Sequence, residues 1–142
     1  MLLRSTKVLL AGLLVLSVAC GGESVAPEDP PDDPVIGDYT LQTINNLPLP
    51  VVIEDDGIIT VEITAGVVNI FPDGTFNDIT DLRITDGGQV STFVDTGLGT
   101  WSRTANVITF TLSGGAGSYA MTWDGGDRLS QLFDGDQLVY ER

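Results

Sequence analysis

Histidine is absent from this chain of 142 residues, lysine occurs once at position 7, and cysteine occurs once at position 20. Without imidazole the chain cannot build a Ser-His-Asp or Cys-His nucleophilic site, or a metal centre based on histidine ligands. A lone cysteine rules out an intramolecular disulfide, so the fold is held by its core alone. Once a leader containing Lys7 is removed, Schiff-base and Ser-Lys mechanisms go with it. Basic residues are scarce throughout: six Lys and Arg stand against twenty Asp and Glu, a formal charge of −14. Arg4 and Lys7 both precede Cys20, so cleavage there leaves four arginines against twenty acids, a net −16. Such a field repels phosphate backbones, and the remaining Arg83, Arg103, Arg128 and Arg142 are scattered in sequence, which argues against nucleic acid as a partner.

What is present begins with a leader. Arg4 and Lys7 form a positive start, Val8 to Leu16 an apolar stretch, and Ser17 and Ala19 supply small residues. That is the anatomy of a secretory signal, too short to span a bilayer stably. Residues 1–19 are therefore read as a signal peptide. Residues 20–34 follow as an acidic, proline-rich linker. Pro27, Pro30, Pro31 and Pro34 stiffen it, and Glu28, Asp29, Asp32 and Asp33 repel one another. At ~3.1 Å per residue an extended tether of this length reaches about 40 Å.

From residue 35 to residue 142 the pattern is that of a β-domain. Tyr39 and Leu41 alternate with polar neighbours, Leu47-Pro48-Leu49-Pro50 suits an edge or crossing segment, and Val51 to Glu54 form a short strand. Ile59, Val61 and Ile63 alternate cleanly with Thr60, Glu62 and Thr64. Ala65-Gly66 then interrupts the pattern before Val67 to Phe71. Pro72-Asp73-Gly74 marks a turn. In Thr75 to Thr85, Phe76, Ile79, Leu82 and Ile84 do not share one parity, which a bulge near Ile79 would reconcile. The last third is a meander: Ile108, Phe110 and Leu112, then Tyr119, Met121 and Trp123, then Leu129 with Phe133, then Leu138 with Tyr140. Roughly eight to ten strands result, with no helix after the leader. The predicted fold is all-β, an antiparallel up-and-down meander closing into a small barrel, with a two-sheet sandwich as the alternative.

Little of this carries chemistry. Ser113-Gly114-Gly115-Ala116-Gly117-Ser118 lacks the lysine and helix of a phosphate loop and reads as a hairpin loop. Asp55-Asp56, Asp124 with Asp127, and Asp134 with Asp136 are the carboxylate pairs available for acid–base work or Ca²⁺. All lie in Gly-containing breaks where aspartate satisfies turn backbone, and none has EF-hand spacing. No catalytic residue, metal or cofactor is assigned. The aromatics Tyr39, Phe76, Trp101, Phe110, Tyr119 and Trp123 either fill the core or line a ligand pocket.

Two resemblances extend this reading. Ser17-Val18-Ala19-Cys20-Gly21 resembles the lipobox of bacterial lipoproteins, in which the cysteine receives a diacylglyceryl group and becomes the new N-terminus; Ser17-Val18-Ala19 equally suits ordinary signal peptidase and a soluble secreted or periplasmic protein. Gly37-Asp38-Tyr39, Leu47-Pro48-Leu49-Pro50, Phe71-Pro72-Asp73-Gly74-Thr75-Phe76, Gly99-Thr100-Trp101, Asn106-Val107-Ile108-Thr109-Phe110 and Val139-Tyr140 together resemble the lipocalin-like domains of bacterial lipoproteins, with Tyr39 where lipocalins place a tryptophan. The resemblance implies a small barrel, an apolar ligand, no catalytic residues, and a lipid on Cys20 holding the protein in the bacterial envelope. The absence of Asp at position 21 implies the outer membrane. A protein-interaction module with a filled core is the second expectation, and a carboxylate enzyme or Ca²⁺ module a distant third. Radiolabelled palmitate is expected to label the wild-type protein and not Cys20→Ser, which should also leave the membrane fraction; membrane association unchanged by that substitution would contradict a lipid anchor.

Overall fold

The computed structural model describes residues 32–142; the signal segment 1–19, Cys20 and the linker through Pro31 lie outside the described residues. Ten strands form one antiparallel sheet: β1 (Gly37–Ile44), β2 (Leu47–Pro48), β3 (Val51–Asp55), β4 (Ile59–Ile70), β5 (Thr75–Asp86), β6 (Gln89–Thr104), β7 (Val107–Leu112), β8 (Ser118–Trp123), β9 (Arg128–Phe133) and β10 (Asp136–Glu141). Neighbours from β4 to β10 are joined by short turns, and β10 pairs with β1. Strand β1 also pairs with β4, Gly37 to Thr40 lying opposite Ile70 to Val67, which closes the ring. The result is an eight-stranded up-and-down barrel of the lipocalin-like kind, with β2 and β3 as additional edge strands; the sandwich alternative is not adopted. Closure removes the unpaired edges that an open sheet would present.

The turns follow from local chemistry. Asn45 and Asn46 both adopt positive φ, 54° and 63°, the geometry of a tight primed turn between β1 and β2. Asn45 Oδ1 accepts the Gln137 backbone N–H at 2.9 Å, and its amide donates to Asp136 at 2.6 Å, so this turn also fastens β10. The edge position expected for Leu47-Pro48 is where β2 lies, paired on one side only.

Two differences from the sequence reading share one cause. Ala65-Gly66 does not end a strand, and no bulge falls near Ile79. Instead β4, β5 and β6 run unbroken for 12, 12 and 16 residues. The irregularity sits on the partner strand, where the register shifts between Ile63 and Ala65. On β5 the even positions Phe76, Asp78, Thr80 and Leu82 face inward, and Ile79 faces out. The bulge bends β4 where the barrel needs curvature, and Gly66, just beyond it, lets Leu41 pack within 3.0 Å of where a Cβ would be.

Beyond the barrel rim the long strands continue as a wing made of β3 and the segments 59–64 of β4, 80–86 of β5 and 89–96 of β6. Its outer face carries a two-pronged Arg83–Glu62 pair at 2.6 and 2.8 Å, which holds the Glu62 carboxyl below the usual range. The opposite end is closed. Val35 is fully buried there, and Asp33, which the sequence reading leaves in the linker, pairs with Arg103 at 2.9 Å. Arg103 lies over Trp123, 5.3 Å from the ring centre, and Arg142 over Tyr39 at 5.2 Å, both in cation–π range. Arg142 further donates to Asp127 and to the carbonyls of Pro34, Ile36 and Gly126.

Gly99 is where the tightest part of the barrel excludes a side chain, because a Cβ would strike the Thr111 carbonyl oxygen and approach Phe76 within 2.9 Å. Gly99→Ala is therefore expected to lower unfolding stability by about 2–3 kcal/mol in urea titrations. Gly126→Ala, whose Cβ would meet only Asp124 Oδ1 at 3.6 Å, serves as the control and should change it by less than about 0.5 kcal/mol.

Candidate functional site

The barrel is filled in its lower half and hollow above. Phe76 and Phe110 meet edge-to-face at 4.8 Å, and Tyr119 stacks on Phe110 at 5.1 Å. This aromatic layer is nearly water-free, Phe76 being 2% and Phe110 0% exposed. Above it opens a cavity of about 690 Å³, within the range of small-molecule sites. Leu112, Leu138 and Leu82 form its apolar walls, and Ile53, Ile63 and Phe133 continue them toward the mouth. The wing supplies one wall: register places Ile63 beside Leu82 and Leu82 beside Phe93.

The polar groups of the cavity converge on Asp78. Inward alternation on β5 brings its carboxylate above Phe76, where the Tyr119 hydroxyl donates to Oδ2 at 2.7 Å. The other oxygen, Oδ1, is buried and has no hydrogen-bond partner within the protein. Burial raises the Asp78 pKa above the usual carboxylate value, the Tyr119 hydrogen bond opposes this, and the charge of Asp95 reinforces it. Burial, together with the Asp78 charge, likewise pushes the Tyr119 and Tyr140 phenols upward, so both stay protonated donors at neutral pH. Asp95, Thr80, Thr96, Ser113 and Gln131 complete the polar lining; no arginine is among the lining residues.

Of the six aromatics considered from sequence, Tyr119 alone lines the cavity. Phe76 and Phe110 form the layer beneath it. Tyr39, Trp101 and Trp123 lie toward the closed end, where each polar atom has a structural partner: the Tyr39 hydroxyl donates to the Val35 carbonyl at 3.0 Å, Trp101 Nε1 to Phe71 at 2.9 Å, and Trp123 Nε1 to Gly126 at 2.7 Å. Asp55, Asp56 and Asp124 behave as turn chemistry, while Asp127 pairs with Arg142 and Asp136 accepts from Asn45. Asp56 Oδ1 accepts the Ile58 and Ile59 N–H groups at 2.8 and 2.7 Å, which lowers its pKa, and Asp124 Oδ1 accepts from Gly126 and Arg128. Among the described residues, no three acidic or thiol side chains gather as a metal-holding group.

Sequence reasoning missed Asp78, Tyr140 and the leucine walls. One signal was available: aspartate is depleted from strand interiors, and Asp78 lies well inside a twelve-residue strand rather than in a turn.

No family model matches the chain, and no curated protein or solved structure matches it either.

The raised pKa of Asp78 has a definite sign in stability. Between the ordinary value of 3.8 and its raised value the folded protein binds a proton that the unfolded chain has released, so stability falls as pH rises through that window. Asp78→Asn, which cannot ionise, is expected to show a higher urea midpoint than wild type at pH 7, with the gap closing near pH ~3. An unchanged or lower midpoint at pH 7 would show that Asp78 bears no burial penalty.

Proposed function

We propose that this protein is a non-enzymatic, envelope-anchored lipocalin-like lipoprotein that holds a small, largely apolar molecule in the upper half of its barrel. The observation that carries this reading is the cavity of about 690 Å³ with its leucine walls and open mouth. A filled barrel of this size would leave no such space, so the aromatic layer alone would have pointed elsewhere. The lipid on Cys20 and the location at the bacterial outer membrane are part of the same proposal and rest on the lipobox-like segment. The chain joins the barrel at its closed end, through Asp33 and Val35, away from the mouth.

The wing supports a second reading, recognition of a protein partner in the envelope. Val90 and Val94 are 64% and 65% exposed on the outer face of the first half of β6, an apolar pair that a monomeric barrel has no packing reason to display.

The two readings separate in one titration. The neutral fluorescent probe N-phenyl-1-naphthylamine is expected to bind saturably with one site per barrel, and Thr80→Trp, which fills the cavity from its wall, should weaken that binding by about tenfold or more. Non-saturable binding, or binding that responds to Val94→Ser and not to Thr80→Trp, would move the site from the cavity to the outer face of the wing.

A further inference from the structure

The cavity floor and its surroundings specify the headgroup of the ligand, given the reading of the cavity as a ligand site. We infer that the site takes an amphiphile with a protonated amine, which enters first and donates to Asp78 while its hydrocarbon portion lies along Leu82, Leu112 and Leu138.

A carboxylate withdrawn from water needs partners for both oxygens, and an unmatched one is a standing cost to the fold. Here the protein provides one donor, the Tyr119 hydroxyl, and leaves Oδ1 without any. The carboxylate whose charge acts on Asp78 belongs to another acid, Asp95, on the cavity wall. Of the four arginines among the described residues, Arg83 is turned to Glu62 on the outer face of the wing. Arg103 and Arg142 are held at the closed end by Asp33 and Asp127, and Arg128 opens β9 at that same end. None is among the residues lining the cavity.

The chemistry missing from the floor is therefore a cation with an N–H to donate. An alkylammonium group supplies both: an N–H for the Asp78 carboxylate, whose buried Oδ1 turns toward the cavity to receive it, and a charge that offsets those of Asp78 and Asp95. A fatty carboxylate does the opposite, bringing a third negative group beside Asp78 and Asp95. A neutral alcohol can donate to Asp78 but leaves the two charges unbalanced. The ligand order expected from the floor is thus ammonium, then alcohol, then carboxylate, at equal chain length.

Displacement of N-phenyl-1-naphthylamine by dodecylamine, dodecanol and sodium dodecanoate tests this at pH 7 below their micelle concentrations, in 0.5 M NaCl so that the general negative field is screened. Dodecylamine is expected to bind about tenfold or more tighter than dodecanol, with dodecanoate the weakest. In Asp78→Asn the amine's advantage should shrink to within about threefold while dodecanol binding is retained, which also shows the variant is folded. Equal binding of all three, preference for dodecanoate, or an amine advantage that survives Asp78→Asn would overturn the headgroup assignment while leaving the cavity reading intact. Failure of all three to displace the probe from a saturable site, or absence of such a site, would overturn the cavity reading itself and the headgroup assignment with it.

Discussion

Strand β1 is hydrogen-bonded along both edges, to β4 on one side and β10 on the other, and the rest of the molecule depends on that double pairing. It turns a meander into a closed surface with an inside. It also limits the height of that inside, because β1 has 8 residues while β4, β5 and β6 have 12, 12 and 16. Where β1 ends, the longer strands have no partner to close on and continue as the wing. The Ile63/Ala65 bulge and Gly66 lie at this boundary, supplying the bend and the close approach that Leu41 requires.

Closure then divides the interior into two regimes. Toward the chain's point of entry the space is consumed by Tyr39, Trp123 and the Phe76–Phe110–Tyr119 layer. Each ring contributes roughly 2–3 kcal/mol of apolar burial, and every phenol or indole polar atom in that set has a partner. Above the layer the cavity opens, with Gly97 opposite Asp78 letting Leu112 come within 3.0 Å of where a Cβ would stand, while Gly99, opposite Phe76 in the layer itself, lets Phe76 and the Thr111 carbonyl close in. Stability and vacancy are thus separated along the barrel axis. The lower half carries the packing that lets the upper half remain hollow and hold a buried carboxylate with one oxygen unmatched.

Charge follows the same division. With so few cations, their placement is decisive, and three of the four arginines in the domain are engaged by named carboxylates away from the cavity. Arg103 and Arg142 act at the closed end twice over, as ion-pair partners and as cations over Trp123 and Tyr39. The site end is left with acids and phenols, an environment that favours bound positive charge.

The amino-acid pattern by itself determined that the domain is all-β, that it is a meander, and where most turns fall, because alternation and Asn/Asp-Gly breaks are local signals read within a few residues. It also excluded imidazole chemistry and an intramolecular disulfide, and it identified Asp55, Asp56 and Asp124 as turn aspartates. Only the tertiary structure decided which parity of β5 faces inward, because the compensating bulge lies on β4, across a strand pair and more than ten residues earlier in the chain. That one long-range choice sends Ile79 outward and Asp78 inward, and with it moves the site from the tryptophans to an acidic floor beneath leucine walls. Whether an aromatic fills a core or lines a cavity depends on what stands opposite it in the closed ring, and ring closure is a property of β1, β4 and β10 together rather than of any one of them.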